Sequence, residues 1–176
     1  MVKRNVRALE LVGTVFIIFL GSALHFTYAL SGNNPLVGFF SAVNESVWEH
    51  LKLAFWPSFL WMLIAIFPLR KTVHNFFVAK MIGAYVMVIF IPTVFYSYTA
   101  IAGKSIFVID ITTFIVAVII SQLVSFKLYK QIQLSNSRET VAILAMVLLA
   151  VIFIVFTFYP PHLPIFQDPN TSQYGI

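Results

Sequence analysis

The sequence predicts an all-α, polytopic transmembrane bundle of about five spanning helices, with its N-terminus cytoplasmic and its C-terminus outside. Three observations carry this. Of the 176 residues, 60% are hydrophobic and 10% charged, with a mean hydropathy of +0.94. A soluble domain carries roughly a quarter charged residues, so this chain has too little polar surface to cover a globule in water. Its apolar residues also cluster into runs near the ~20 residues that a helix needs to cross the hydrocarbon core. The basic residues, finally, fall unevenly between those runs.

Five segments qualify as spans: Leu9–Leu30, Leu53–Leu69, Phe76–Thr99, Ser105–Phe126 and Thr140–Tyr159. In lipid the backbone must satisfy its own hydrogen bonds, so each is a helix. Lys3, Arg4 and Arg7 ahead of an apolar stretch resemble a signal peptide. The run continues to Leu30, however, longer than a signal core, and an uncleaved first helix is expected. Pro57 falls in the first turn of the second span or kinks a longer helix, and Pro92 bends the third. The whole chain, 1–176, reads as one membrane domain with no internal repeat.

Nine of the eleven Lys and Arg residues flank the spans on one side: Lys3, Arg4, Arg7, Arg70, Lys71, Lys80, Lys127, Lys130 and Arg138. Only Lys52 and Lys104 flank the other. The positive-inside rule makes the first side cytoplasmic. Tyr28, Trp48, Trp56, Tyr96, Tyr98 and Tyr159 then form a belt at the outer interface. The net charge of +5 does not indicate nucleic acid, because the cations sit in short flanking clusters that suit anionic lipid. Residues 31–52 become an outer loop plus an interfacial helix. The proline-rich stretch 160–176 becomes an outer tail, apolar enough at Phe166, Tyr174 and Ile176 to fold back on the bundle.

The chain has no cysteine, which excludes disulfides, iron–sulfur clusters, thiolate zinc sites and a cysteine nucleophile. It carries no phosphate loop, dinucleotide fingerprint, nucleophile elbow or paired-histidine zinc-protease motif. Four of the six acids, Glu45, Glu49, Asp110 and Asp168, lie on the outer side, while Glu10 and Glu139 sit among cytoplasmic cations. His25 and Asp110 fall about five residues inside their helices, roughly 7 Å below the outer interface at 1.5 Å per residue. Ionisable groups at such depth usually face the bundle interior. The densest polar stretch is Asn44–Lys52. A helix capped by Ser41 or Asn44 would put Glu45 and Glu49 on one face, and two like charges there call for a metal ion, a shared proton, Lys52 or His25 between them. The bland alternative is an interfacial helix with both glutamates in water.

The candidate set is therefore Glu45, Glu49 and Asp110 for acid–base chemistry, and His25, Glu45, Glu49 and His50 for a divalent metal such as zinc. His162 and Asp168 are weaker, and His74 reads as a cytoplasmic loop residue. A short connection makes the first two spans antiparallel neighbours, so the His25 ring is expected within direct or single-water reach of Glu45 or Glu49. The string Asn44-Glu45-Ser46-Val47-Trp48-Glu49-His50-Leu51-Lys52, with the ending from Tyr159-Pro160-Pro161-His162 to Tyr174-Gly175-Ile176, resembles a family of small prokaryotic integral membrane proteins with no assigned function. That resemblance implies a compact helical bundle and supplies no catalytic residues. Three readings of the outer cluster stay open: a metal-dependent hydrolase or transferase on a lipid-like substrate, a small transporter binding a cation or protons, and a non-catalytic accessory protein. A thin polar supply at the cytoplasmic end of the fourth span, Ser121, Gln122 and Ser125, favours a one-sided site.

Overall fold

The computed structural model describes residues 2–131 and 135–176. The side chains of Lys3 and Arg4, which belong to the basic flank, lie outside the described residues. The helices are α1 (Val2–Leu30), α2 (Pro35–Gly38), α3 (Val47–Leu69), α4 (Phe76–Ala102), α5 (Phe107–Leu128) and α6 (Asn136–Phe158), followed by a 3-10 turn at Pro164–Phe166. All but α2 are long and apolar enough to span a bilayer.

The five long helices share their burial unequally. In α3, 56% of the apolar window is buried, against 22–33% in the others. α3 is accordingly the central element, packed on α1, α4 and α6, while α5 packs on α4 and α1. Ile17, Phe55, Met87, Val118 and Phe153 are fully buried at the contacts between them. Outward-facing side chains such as Phe19, Phe67 and Ile101 are largely exposed, giving the bundle an apolar perimeter of the kind lipid covers.

Two close approaches set the spacing around α1. A Cβ built on Gly21 would lie 2.3 Å from the Leu53 carbonyl oxygen and 2.8 Å from Phe114, so only glycine lets α1 sit this near α3 and α5. Gly13 acts likewise nearer the start of α1, against Trp61 and Gln122. Near Gly13 lies a buried polar group. Lys80 Nζ donates to both oxygens of Glu10 at 2.9 Å and to Gln122 Oε1 at 3.1 Å, and the Tyr129 hydroxyl donates to Glu10 at 3.2 Å. Glu139, on α6, accepts from the Phe77 backbone N–H at the start of α4. Both acids that the sequence placed among cytoplasmic cations thus tie helices together.

At the opposite end, the tail end of the bundle, the chain folds back as its apolar residues suggested. Phe166 packs on Trp48 and Phe156, with ring centroids 4.8 and 5.4 Å apart, and His162 stacks on Tyr174 at 4.6 Å.

Candidate site at the tail end

Within the stretch Asn44–Lys52, residues Val47–Lys52 are the first turns of α3 and not a separate interfacial helix, and the cap is Ser46 in place of Ser41 or Asn44. Ser46 Oγ accepts from the Glu49 N–H at 3.3 Å. The later cap decides the geometry. Glu45 precedes it and lies outside the helix, so Glu45 and Glu49 do not share a helical face.

Glu49 turns into the protein. Its carboxylate meets Lys52 Nζ at 2.5 Å and accepts from the Val43 N–H at 3.0 Å and the Thr157 hydroxyl at 3.1 Å. Lys52 also donates to the Gly38 carbonyl at 2.7 Å and to Thr157 at 2.8 Å. Both side chains are essentially inaccessible. Of the counter-charges considered for the glutamates, Lys52 is the one Glu49 has.

Glu45 turns the other way, toward two histidines. His25, in the last turns of α1, places Nε2 4.0 Å from Glu45 Oε1. His50, in the first turn of α3, places Nε2 3.4 Å from Glu45 Oε2. The two imidazoles are 5.2 Å apart between centroids. One ligand-capable atom from each of His25, Glu45 and His50 falls within 4.8 Å of the others. His25 therefore lies 4.0 Å from Glu45, at the outer limit of an ion pair and without a hydrogen bond between them, on the side of the bundle that the short α1–α3 connection led us to expect.

The surroundings tune these groups for ligation. His50 Nδ1 sits 2.9 Å from the Ser46 carbonyl and donates to it, which fixes the ring with Nε2 facing Glu45. His25 Nδ1 is buried with no hydrogen-bond partner. A tetrahedral zinc ion with bonds of ~2.0–2.2 Å separates its ligands by roughly 3.4 Å. The His50 and His25 distances of 3.4 and 4.0 Å run to different oxygens of Glu45, and one atom from each residue is grouped within 4.8 Å, so a bound ion would have to draw the three side chains together.

Glu45 itself is held through its backbone. Its N–H donates to Asp168 Oδ2 at 3.1 Å, and Asp168 Oδ1 accepts from the Asn170 and Thr171 N–H groups at 2.7 and 3.1 Å. Burial alone would raise the Asp168 pKa; the three N–H donors and nearby His50 more than offset it, and the net position is below the ordinary aspartate value. Asp168, a weak candidate from sequence, is thus a buried latch between tail and loop. A second tie joins Asn44 Nδ2 to the Gly175 carbonyl at 2.9 Å.

The three-residue cluster forms a section of the wall of a cavity of about 430 Å³, within the ~300–1,000 Å³ range of small-molecule sites. Asp110 lines the same cavity. The Tyr98 hydroxyl donates to Asp110 Oδ1 at 2.5 Å and itself accepts from the Ile106 N–H at 3.0 Å, which leaves Oδ2 without a hydrogen bond from the described residues. The rest of the lining is mainly apolar, including Ile18, Leu53, Ile91, Phe95 and Phe114. Four of the five residues singled out in sequence meet here, and Glu49 does not. His162 and His74 are also absent from it.

Sequence reasoning named Lys52 among the counter-charges but missed the cap and the other structural partners. Ser46-x-x-Glu49 is a capping-box spacing, and it was the available signal that Glu45 falls outside the helix. Glu49 and Lys52, three apart, signalled mutual neutralisation. The Glu10–Lys80 pair spans seventy positions and left no local signal. No curated protein and no solved structure matches the chain. A family model covers residues 2–176 from end to end, and the chain belongs to that family, a family of unknown function (DUF6512).

Proposed function

We propose that the protein is a multi-pass membrane enzyme, a metal-dependent hydrolase or transferase that acts on a lipid-like substrate at the outer face. One observation carries the reading: His25 of α1 meets Glu45 and His50 of the stretch that opens α3, with one ligand-capable atom from each within 4.8 Å of the others, on the wall of an apolar cavity. Two His and one Glu are a ligand set of catalytic zinc sites, which keep a further position for water or substrate. Such an ion supplies a nucleophilic hydroxide at neutral pH and polarises a carbonyl. In this reading Asp110, which lines the same cavity and accepts from the Tyr98 hydroxyl, is the general base, and Tyr98 orients it.

The interior between the two ends weighs against a transport route. Beneath the cavity Ile17, Ala117, Val118 and Met87 are fully buried, and below them Lys80 and Glu10 close on each other. A cation or proton path would need polar groups through that layer.

The test is metal stoichiometry. Protein purified in detergent is stripped with chelator, reloaded with zinc, desalted and submitted to elemental analysis. Wild type should retain about one zinc per chain. H25A and H50A should lose it, while H74A and H162A keep it. Retention at background level by wild type, or equal retention by H25A and H50A, would remove the metal reading.

A further inference from the structure

Resting on that reading, we infer that the substrate's scissile group is an uncharged acyl linkage, a carboxylic ester or amide of a long-chain acid, and not a phosphoester. The charge lining the cavity carries this. The chain has eleven Lys and Arg residues, and among the described residues none of them lines the cavity, whereas two carboxylates, Glu45 and Asp110, do. Phosphate sites gather Arg, Lys or clustered backbone N–H donors. Lys52 is unavailable, because its ammonium is held by Glu49, Gly38 and Thr157. Lys104, next to Ser105 of the lining, is exposed and points no charge into the cavity.

Glu45 and Asp110 would balance the charge of a divalent ion held by His25, His50 and Glu45. A carbonyl would enter such a site without adding charge, and the ion would supply stabilisation for the single negative charge that develops on its oxygen. A phosphodiester or monoester would bring its charge in the ground state, with no cation left to meet it. The proton balance also suits acyl transfer to water. The water oxygen bonds to the acyl carbon as its proton passes to Asp110; the carbon–oxygen or carbon–nitrogen bond then breaks, and the leaving alcohol or amine takes that proton. The products are a fatty acid and an alcohol or amine.

The apolar side of the cavity fits the acyl chain. Phe26 on α1 and Phe107 and Ile111 on α5 line the cavity and are themselves 60%, 75% and 43% exposed on the perimeter. These residues belong at once to the cavity wall and to the apolar perimeter of α1 and α5, so the proposal has the acyl chain enter on this side, from lipid. Gly21, which holds α1 close to Leu53 and Phe114, sets the inner limit on that side.

The experiment compares two single-chain probes of equal length, an alkyl hydroxamate and an alkyl phosphonate, against zinc-loaded protein in detergent. Affinity is measured by calorimetry, with zinc content determined on the same samples. The hydroxamate should bind roughly tenfold or more tightly than the phosphonate, and D110N should narrow the difference by relieving repulsion of the phosphonate. Long-chain ester and amide substrates should be hydrolysed in preference to a phosphodiester lipid of matched length. Equal or tighter phosphonate binding, phosphodiester turnover lost in K104A, or binding of neither probe by zinc-loaded protein would overturn the inference while leaving the metal site standing. Absence of zinc from the samples would instead locate the failure in the metal reading itself.

Discussion

Replacing Lys52 by methionine separates the role of Glu49 from that of Glu45. Methionine keeps most of the apolar stem and removes the ammonium. Glu49 would then retain only the Val43 N–H and the Thr157 hydroxyl, and the Gly38 carbonyl would lose its donor. Breaking a buried pair by removing one partner costs about 3–5 kcal/mol. The two surviving donors put the expected loss toward the lower figure. For a domain of this size each kcal/mol moves the melting midpoint by about 2–4 °C, so K52M should melt about 6–12 °C below wild type. The assay is thermal unfolding in detergent, followed by the fraction of monodisperse protein after heating. The double variant E49Q/K52M, which removes the orphaned charge and keeps an acceptor for Val43, should melt above K52M. Zinc retention should survive in all folded variants, because Glu49 stands outside the His25–Glu45–His50 group. A K52M protein that melts like wild type, or E49Q protein that folds normally yet loses zinc, would refute the assignment of Glu49 to the scaffold.

Two other perturbations test the frame around the site. Single cysteines near Gly103 or in the tail, on this cysteine-free background, should react with an impermeant reagent from outside, and cysteines at Lys71 or Ser135 only from the cytoplasm; reversal would overturn the proposed orientation. Asp168 titrates below its ordinary value in the folded protein, so the stability it contributes is present above about pH 3.9 and is lost as pH falls through the lower folded value. Melting curves taken down through that window should drop for wild type and flatten for D168N, and a D168N profile parallel to wild type would remove the latch.

Much of this fold was legible because hydropathy reports burial in lipid directly. The start of α3 was misjudged for a physical reason. Glu49, His50 and Lys52 lower the local hydropathy, but Glu49 and Lys52 neutralise each other inside the protein, so the helix runs on through them. Cap identity was equally costly to miss, because moving it from Asn44 to Ser46 puts Glu45 outside the helix and turns it from a partner of Glu49 into a partner of His25. The meeting of His25 with Glu45 was legible from loop length alone. The meeting of Asp110 with the same cavity was expected from its depth below the outer end of its helix, and the packing of α5 against α1 around Gly21 brings it there.

The acids at the tail end divide their labour, and the division explains how a loop residue can serve as a ligand. A glutamate ahead of a helix would ordinarily wander, and a metal ligand has to be held within fractions of an ångström. Here the backbone is pinned on both sides of Glu45. Glu49 grips the Val43 N–H two residues before it, and Asp168 grips the N–H of Glu45 itself. Ser46, the next residue, caps α3 with its hydroxyl and orients His50 with its carbonyl. Glu49 and Asp168 are thus consumed by backbone hydrogen bonds and a buried ion pair, and Asp110 takes the Tyr98 hydroxyl, whereas Glu45 keeps its side chain turned to the histidines and 48% exposed. That is the freedom the proposed metal site asks of it, on a backbone held in place by its neighbours.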